Sequence, residues 1–167
     1  MSDPLLKVRD LRTHFHTDAG TVRAVDGVSF DVQSGETLCL VGESGSGKTV
    51  TCETVGRLVP TPPGEVVGGE IQFADRDLTE LSESAMREIR GDQIAYVFQN
   101  PQNVLDPVYT VGQQLREVVT YHQSVTDEAA RRQALDLLDS VGIPNAPARA
   151  DDYPHEFSGG MKQRVVV

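Results

Sequence analysis

The stretch TLCLVGESGSGKT (37–49) decides how the chain reads. Thr37 to Val41 is an apolar run without alternation, the pattern of a central parallel strand covered on both faces. Residues 42–49 follow at once and match G-x-x-x-x-G-K-[ST] at Gly42, Gly47, Lys48 and Thr49. Thr49 to Leu58 has no breaker except Gly56, which predicts a helix. Strand, tight loop and helix in that order let successive backbone N–H groups wrap a phosphate. The glycines permit positive φ and close approach, and the helix N-terminus adds a favourable dipole. Lys48 would reach the β- and γ-phosphates, and Thr49 offers a hydroxyl to Mg²⁺. The alternative is a Gly/Ser turn without function, and the flanking strand and helix argue against it.

Towards the N-terminus, Leu6 and Val8 alternate with Lys7 and Arg9, and Val28, Phe30 and Val32 with Ser29, Asp31 and Gln33. A period of two predicts half-buried, antiparallel strands. Towards the C-terminus, Pro60, Pro62, Pro63 and Gly64 make an irregular loop, and Ile71 and Phe73 suggest a short strand. Ser82 is suited to cap a helix with Leu81 stapled onto Met86, and Ile94 to Phe98 reads as another buried strand. From Thr110 the spacing changes: Val111, Leu115, Val118 and Val119 share one helical face. A second helix follows, with Ala130, Ala134, Leu137, Leu138 and Val141 on its apolar face, Thr126 or Asp127 as cap and Gly142 at its end.

Composition narrows the function. The 167 residues are 38% hydrophobic and 24% charged, enough for a core, and the net charge of −10 argues against nonspecific nucleic-acid binding. Of the 15 basic residues only Lys7, Lys48 and Lys162 are lysines, an acidic, lysine-poor balance of halophile-like character. The apolar runs fall short of the roughly 20 residues that span a bilayer, and MSDPLLKVRD lacks a signal-peptide core, so the expectation is a soluble, cytoplasmic chain. Cys39 and Cys52 lack close metal-ligand spacing and read as reduced, buried thiols. His14 and His16 share a strand face, but with no third ligand nearby they read as exposed strand residues rather than a metal site.

Two further features bear on chemistry. No run of four apolar residues ends in Asp; Ile94 to Phe98 ends instead in Gln99, whose amide can touch Mg²⁺ or water, or simply cap a loop. Ser158-Gly159-Gly160-Met161 opens a helix and makes either a second anion site or an ordinary helix cap. A head-to-tail pair of subunits could set each chain's second site over its partner's nucleotide.

GESGSGKT, Tyr96-Val97-Phe98-Gln99 and Phe157-Ser158-Gly159-Gly160-Met161, in that order, resemble the ATP-binding cassette (ABC) ATPases across essentially the whole chain. More narrowly, FQNPQNVLDPVYTVGQQL (98–115) and YPHEFSGGMKQR (153–164) resemble the oligopeptide, dipeptide and nickel importer branch. The resemblance implies an α/β fold, a P-loop NTPase of ABC type with an N-terminal antiparallel β subdomain, a partial RecA-like core sheet and a helical subdomain. It implies one incomplete ATPase domain over 1–167, with the β subdomain and P-loop core at 1–99, the helical subdomain at 100–157, and the signature motif with the start of its helix at 158–167.

The same resemblance implies residue roles. Gly42, Glu43, Ser44, Gly45, Ser46, Gly47, Lys48, Thr49 and Val50 would form the Walker A site around ATP, and Thr49 and Gln99 would hold Mg²⁺. Lys48 and Gln99 would be the catalytic contributors, while Ser158, Gly159, Gly160 and Met161 would face the partner's ATP. Phe15 would stack on adenine, its alternative being a core aromatic. Asn100 to Tyr109 become coupling contacts to transmembrane permease subunits. A second ABC ATPase, identical or paralogous, and, indirectly, an extracytoplasmic solute-binding protein complete the implied partners, at the cytoplasmic face of the membrane. The family's Walker B aspartate, catalytic glutamate, D-loop and switch histidine are expected after Val167, so this chain alone is expected to bind nucleotide with little turnover. The competing readings are a soluble cassette ATPase, against which segment 98–115 and the charge argue, and a nucleotide-binding fragment without hydrolysis.

Overall fold

The computed structural model describes residues 3–99 and 104–167. The chain divides into two compact units, Met1–Ile94 and Ala95–Val167.

The first unit is built on an antiparallel sheet. Strand β1 (Leu6–Thr17) pairs with β2 (Gly20–Val32) on one side and β3 (Gly64–Phe73) on the other, and β4 (Arg76–Asp77) extends the sheet in the order β2-β1-β3-β4. The alternation read at both ends of the β1–β2 hairpin is realised: Val8 stands opposite Phe30 and Leu6 opposite Val32. Strand β3 is ten residues long, where Ile71 and Phe73 alone suggested a short one. Its glycines hid it, because glycine is disfavoured in strands, yet the sheet needs them. At Gly69, φ is +97°, and a Cβ would stand 2.5 Å from Leu11 Cα and 2.6 Å from the Asp10 carbonyl oxygen. That close approach lies where the β1–β3 register shifts between Arg9 and Arg12. The Asp10 N–H in the same stretch donates to Ser29 Oγ at 2.8 Å.

Helix α1 (Lys48–Val55) and helix α2 (Glu83–Ile89) accompany the sheet. Val8, Leu11, Val25, Ile71, Leu78, Met86 and Ile89 form the buried core, with Val50, Val55 and Leu81 packed against it. Ser82 caps α2 as expected, its side chain accepting from the Ala85 N–H.

Two strand expectations are corrected. Neither Thr37–Val41 nor Ile94–Phe98 forms a ladder among the described residues; Ile94 makes only an isolated bridge to Arg90. Val41 is 90% exposed. A strand exists through its hydrogen-bonded neighbours, and the four strands of the sheet pair with one another and not with these runs. The thiols are corrected too: Cys39 and Cys52 are free but exposed. Cys39 lies in the unpaired run, and α1 buries Thr51 and Thr54 instead of Cys52.

The second unit is helical. Helix α3 (Val111–His122) begins at Thr110, whose capping box with Gln113 satisfies donors in both directions, and α4 (Asp127–Ser140) is capped by Thr126. Gly142 closes α4 at φ +70°. Helices α5 (Ala146–Arg149) and α6 (Gly159–Val166) follow, separated by a short 3-10 turn at Pro154–Glu156. Val111, Leu138, Ile143, Ala146, Ala150 and Phe157 make its core. Val118 and Leu137, read as core-facing, are exposed at 58% and 48%. They line, with Leu115, Leu138 and Val165, an open apolar groove of about 540 Å³. Core contact is taken up by the neighbouring positions Val119 and Leu138.

Candidate phosphate site

The loop before α1 is shaped by its glycines. Gly45 and Gly47 have φ of +82° and +85°, a region that favours residues without a Cβ. At Gly47 space forbids one as well, since a Cβ would collide with the Ala24 carbonyl oxygen on β2. The loop therefore runs against the sheet before turning into the helix.

Helix α1 starts with its first-turn donors uncovered. Gly47 occupies the cap position, no side chain among the described residues caps the helix, and no acidic residue lies in the first turn. Unpaired N–H groups and the dipole leave positive potential at this end. Lys48 adds a full charge. Its Nζ donates to the carbonyls of Gly42 (2.9 Å) and Glu43 (2.6 Å) and, more weakly, to Ser46 Oγ at 3.3 Å. The two carbonyl bonds hold the ammonium over the loop, and among the described residues no carboxylate pairs with it. A phosphate oxygen replacing the weak Ser46 contact would give the third donor a charged acceptor.

The hydroxyls of α1 divide by role. Thr51 Oγ1 donates to the Gly47 carbonyl (2.9 Å) and Thr54 Oγ1 to the Val50 carbonyl (2.6 Å), whereas the exposed Thr49 hydroxyl has no partner among the described residues. This donor set fits a polyphosphate, and Thr49 fits a hard cation as a single oxygen ligand. Val50 packs on the core, so only its backbone can face a ligand. Phe15 lies in the same unit, half-buried in β1 opposite Val22 and Gly64. His14 differs from its reading as an exposed residue: its Nε2 is buried and, among the described residues, without a hydrogen-bond partner.

The other singled-out residues lie in the second unit. Gln99 is exposed and lines a cavity of about 370 Å³ with Phe98, Val141, Gln163 and Arg164. Ser158 caps α6, its Oγ accepting from the Met161 N–H at 3.3 Å. Gly159 and Gly160 are exposed, with open space where a Cβ would stand. Met161 packs against the unit's core, so its side chain is structural. Of the segment 100–109, residues 100–103 lie outside the described residues. Its later part is pinned by Gln114, which accepts from the Asp106 N–H (2.9 Å) and donates to the carbonyls of Asp106 (2.9 Å) and Tyr109 (3.0 Å). Val108 and Tyr109 are left exposed.

Motif reading missed the groups that hold α1 in place. Thr13 and Thr54 meet in the core, and Arg57 and Arg90 close the far end of the helix. None belongs to a recognisable pattern; only the three-dimensional pairing reveals them.

Comparison with known proteins agrees with this architecture. Residues 25–167 match the ABC transporter family model. The chain is 48% identical over 163 residues to the oligopeptide transport ATP-binding protein OppD of Bacillus subtilis (strain 168), covering 98% of this chain and 46% of that protein. It is 49% identical over 166 residues to the probable peptide ABC transporter ATP-binding protein y4tR of Sinorhizobium fredii (strain NBRC 101917 / NGR234), covering 99% and 50%. It thus spans about half the length of these curated relatives. The dimeric structure of MJ0796, a bacterial ABC transporter cassette, superposes with a TM-score of 0.82 at 24% identity, covering 97% of this chain and 67% of that one, which shows a shared fold. With the family model covering most of its length, this chain belongs to the ABC transporter family.

Proposed function

We propose that the chain is the ATP-binding part of an ABC importer ATPase that serves peptides or related small solutes. The observation that carries this reading is the uncapped N-terminus of α1, with Lys48 held over it by two loop carbonyls and unpaired with any carboxylate among the described residues. Its resemblance to peptide and oligopeptide transport ATP-binding proteins supports the substrate class.

In this reading the N–H groups at residues 45–50 and the Lys48 ammonium bind the phosphates, and Phe15 meets the base. Mg²⁺, when bound, would screen the phosphate charge, with the Thr49 hydroxyl as a protein ligand; Gln99 carries the same proposed role from its motif alone. Ser158, Gly159 and Gly160 offer an exposed helix N-terminus to the nucleotide of a second ATPase subunit. Turnover needs a carboxylate to help hold Mg²⁺ and a group to position water. Among the described residues none is paired with Lys48 or Thr49, so binding is the role assigned to this stretch. Permease subunits would dock on the helical unit, whose exposed Val108 and Tyr109 offer apolar contact. No described helix is long and apolar enough to cross a membrane, and the proposed place is peripheral, on the cytoplasmic face.

The test is ATP-dependent self-association measured by light scattering on the wild-type chain and Ser158→Arg. Association lost in Ser158→Arg with ATP binding retained supports the two-site arrangement. Equal loss of ATP binding by the monomer would contradict it.

A further inference from the structure

We propose that Arg90, at the far end of α1 from the phosphate loop, is a positioning residue for that loop. The proposal rests on the nucleotide-binding reading. Arg90 Nε donates to the Gly56 carbonyl (2.9 Å), Nη2 to the Arg57 carbonyl (3.2 Å) and Nη1 to Glu83 Oε1 (2.9 Å). One guanidinium thus grips the turn that ends α1 and ties it to the first turn of α2. Arg57, held at φ +51°, strengthens the grip by donating to the Leu81 carbonyl at 2.5 Å.

Two carbonyls just past a helix end are a natural seat for a cation, because the dipole presents negative potential there. The arrangement does more than satisfy them. Helix α1 has eight residues, so it is about 12 Å long and transmits a displacement of one end to the other. Among the described residues its side-chain hydrogen bond to the sheet is the Thr13–Thr54 pair. Beside that bond α1 is held by the apolar packing of Val50 and Val55, which is not directional, so the helix can still tilt, and a polar anchor beyond its C-terminus opposes the tilt. The N–H groups at the opposite end bind phosphate only while they converge, and a pivot spreads them. Arg90 touches no part of the phosphate site, so its effect on nucleotide would pass through α1.

The experiment measures ATP affinity by calorimetry on the 167-residue chain and on Arg90→Met, Arg90→Lys, Val8→Ala and Lys48→Ala, with hydrogen exchange read for α1 and for the β1–β3 ladder. Arg90→Met, which keeps the aliphatic stem, should weaken ATP binding about tenfold and speed exchange in α1 while the ladder stays protected. Arg90→Lys should recover part of the affinity, since an ammonium can still reach one carbonyl; it also carries the test if Arg90→Met does not fold. Wild-type affinity in either folded arginine variant overturns the proposal. So does an equal loss in Val8→Ala, a core substitution that leaves the guanidinium in place. If Lys48→Ala binds ATP as the wild type does, the nucleotide reading itself fails and the proposal with it. If Lys48→Ala loses ATP binding while Arg90→Met keeps it, the Arg90 proposal alone fails.

Discussion

Thr13 Oγ1 and Thr54 Oγ1 lie 3.0 Å apart with both residues fully buried, joining β1 to α1 across the core of the first unit. The Thr54 hydroxyl spends its proton on the Val50 carbonyl at 2.6 Å, so Thr13 must be the donor of the pair.

That direction predicts an asymmetry. Thr54→Val strands the Thr13 hydroxyl in the core without an acceptor and should cost about 1–3 kcal/mol. Thr13→Val leaves Thr54 still bonded to Val50 and should cost less, about 0.5–1.5 kcal/mol. The double variant should lie near the better single variant, since no polar group is then orphaned. Urea midpoints on the four proteins measure this cycle; equal single-variant losses would contradict the assignment, and a larger loss in Thr13→Val would reverse it.

The glycines of the two motifs should respond differently to alanine. Gly47→Ala meets both a positive φ and the Ala24 carbonyl, so it should destabilise the chain and abolish ATP binding. Gly159→Ala meets open space at a helix start and should leave stability unchanged or raise it by about 0.5–1 kcal/mol. Its effect should appear only in ATP-dependent association. Thermal melts alongside light scattering separate the two, and a large stability loss in Gly159→Ala would show that its fold requires that glycine.

Acid should weaken the α1–α2 junction. The hydrogen bond from Arg90 holds the Glu83 carboxyl below its ordinary range against the opposing effect of desolvation, and the charges of Arg90, Arg57 and Arg87 add to it. A lowered carboxylate stabilises the fold above its unfolded pKa and loses that contribution as pH falls through its folded value. Glu83→Gln should therefore lower stability at neutral pH and flatten the acid limb of the profile. Because the site is exposed, the difference should shrink in high salt. Denaturant titrations from neutral to acid pH, at low and high salt, check this; parallel profiles would remove the ion pair from the account.

Much of the fold was legible because its signals are local. The alternation at Leu6–Arg9 and Val28–Gln33 gave the hairpin, Ser82 and Thr110 marked helix starts, and residues 42–49 carried their own geometry. What escaped depends on distant pairing. Thr37–Val41 has the apolar content of a buried strand, but content does not supply a hydrogen-bonded neighbour. Gly64–Phe73 looks too glycine-rich for a strand until Leu11 is seen pressed against Gly69. At Val118 and Leu137 the helical period was right, but the face was too wide; they open the groove instead of closing the core. Thr13, Thr54 and Arg90 carry no motif, because their role is to hold α1 rather than to touch a phosphate.

The most direct test of the central claim is calorimetric titration of ATP into the wild-type chain and Lys48→Ala. The account predicts saturable binding by the wild type and none by Lys48→Ala, at matched folding by circular dichroism. Equal binding by both proteins would contradict the assignment of the α1 N-terminus and its lysine as the nucleotide site.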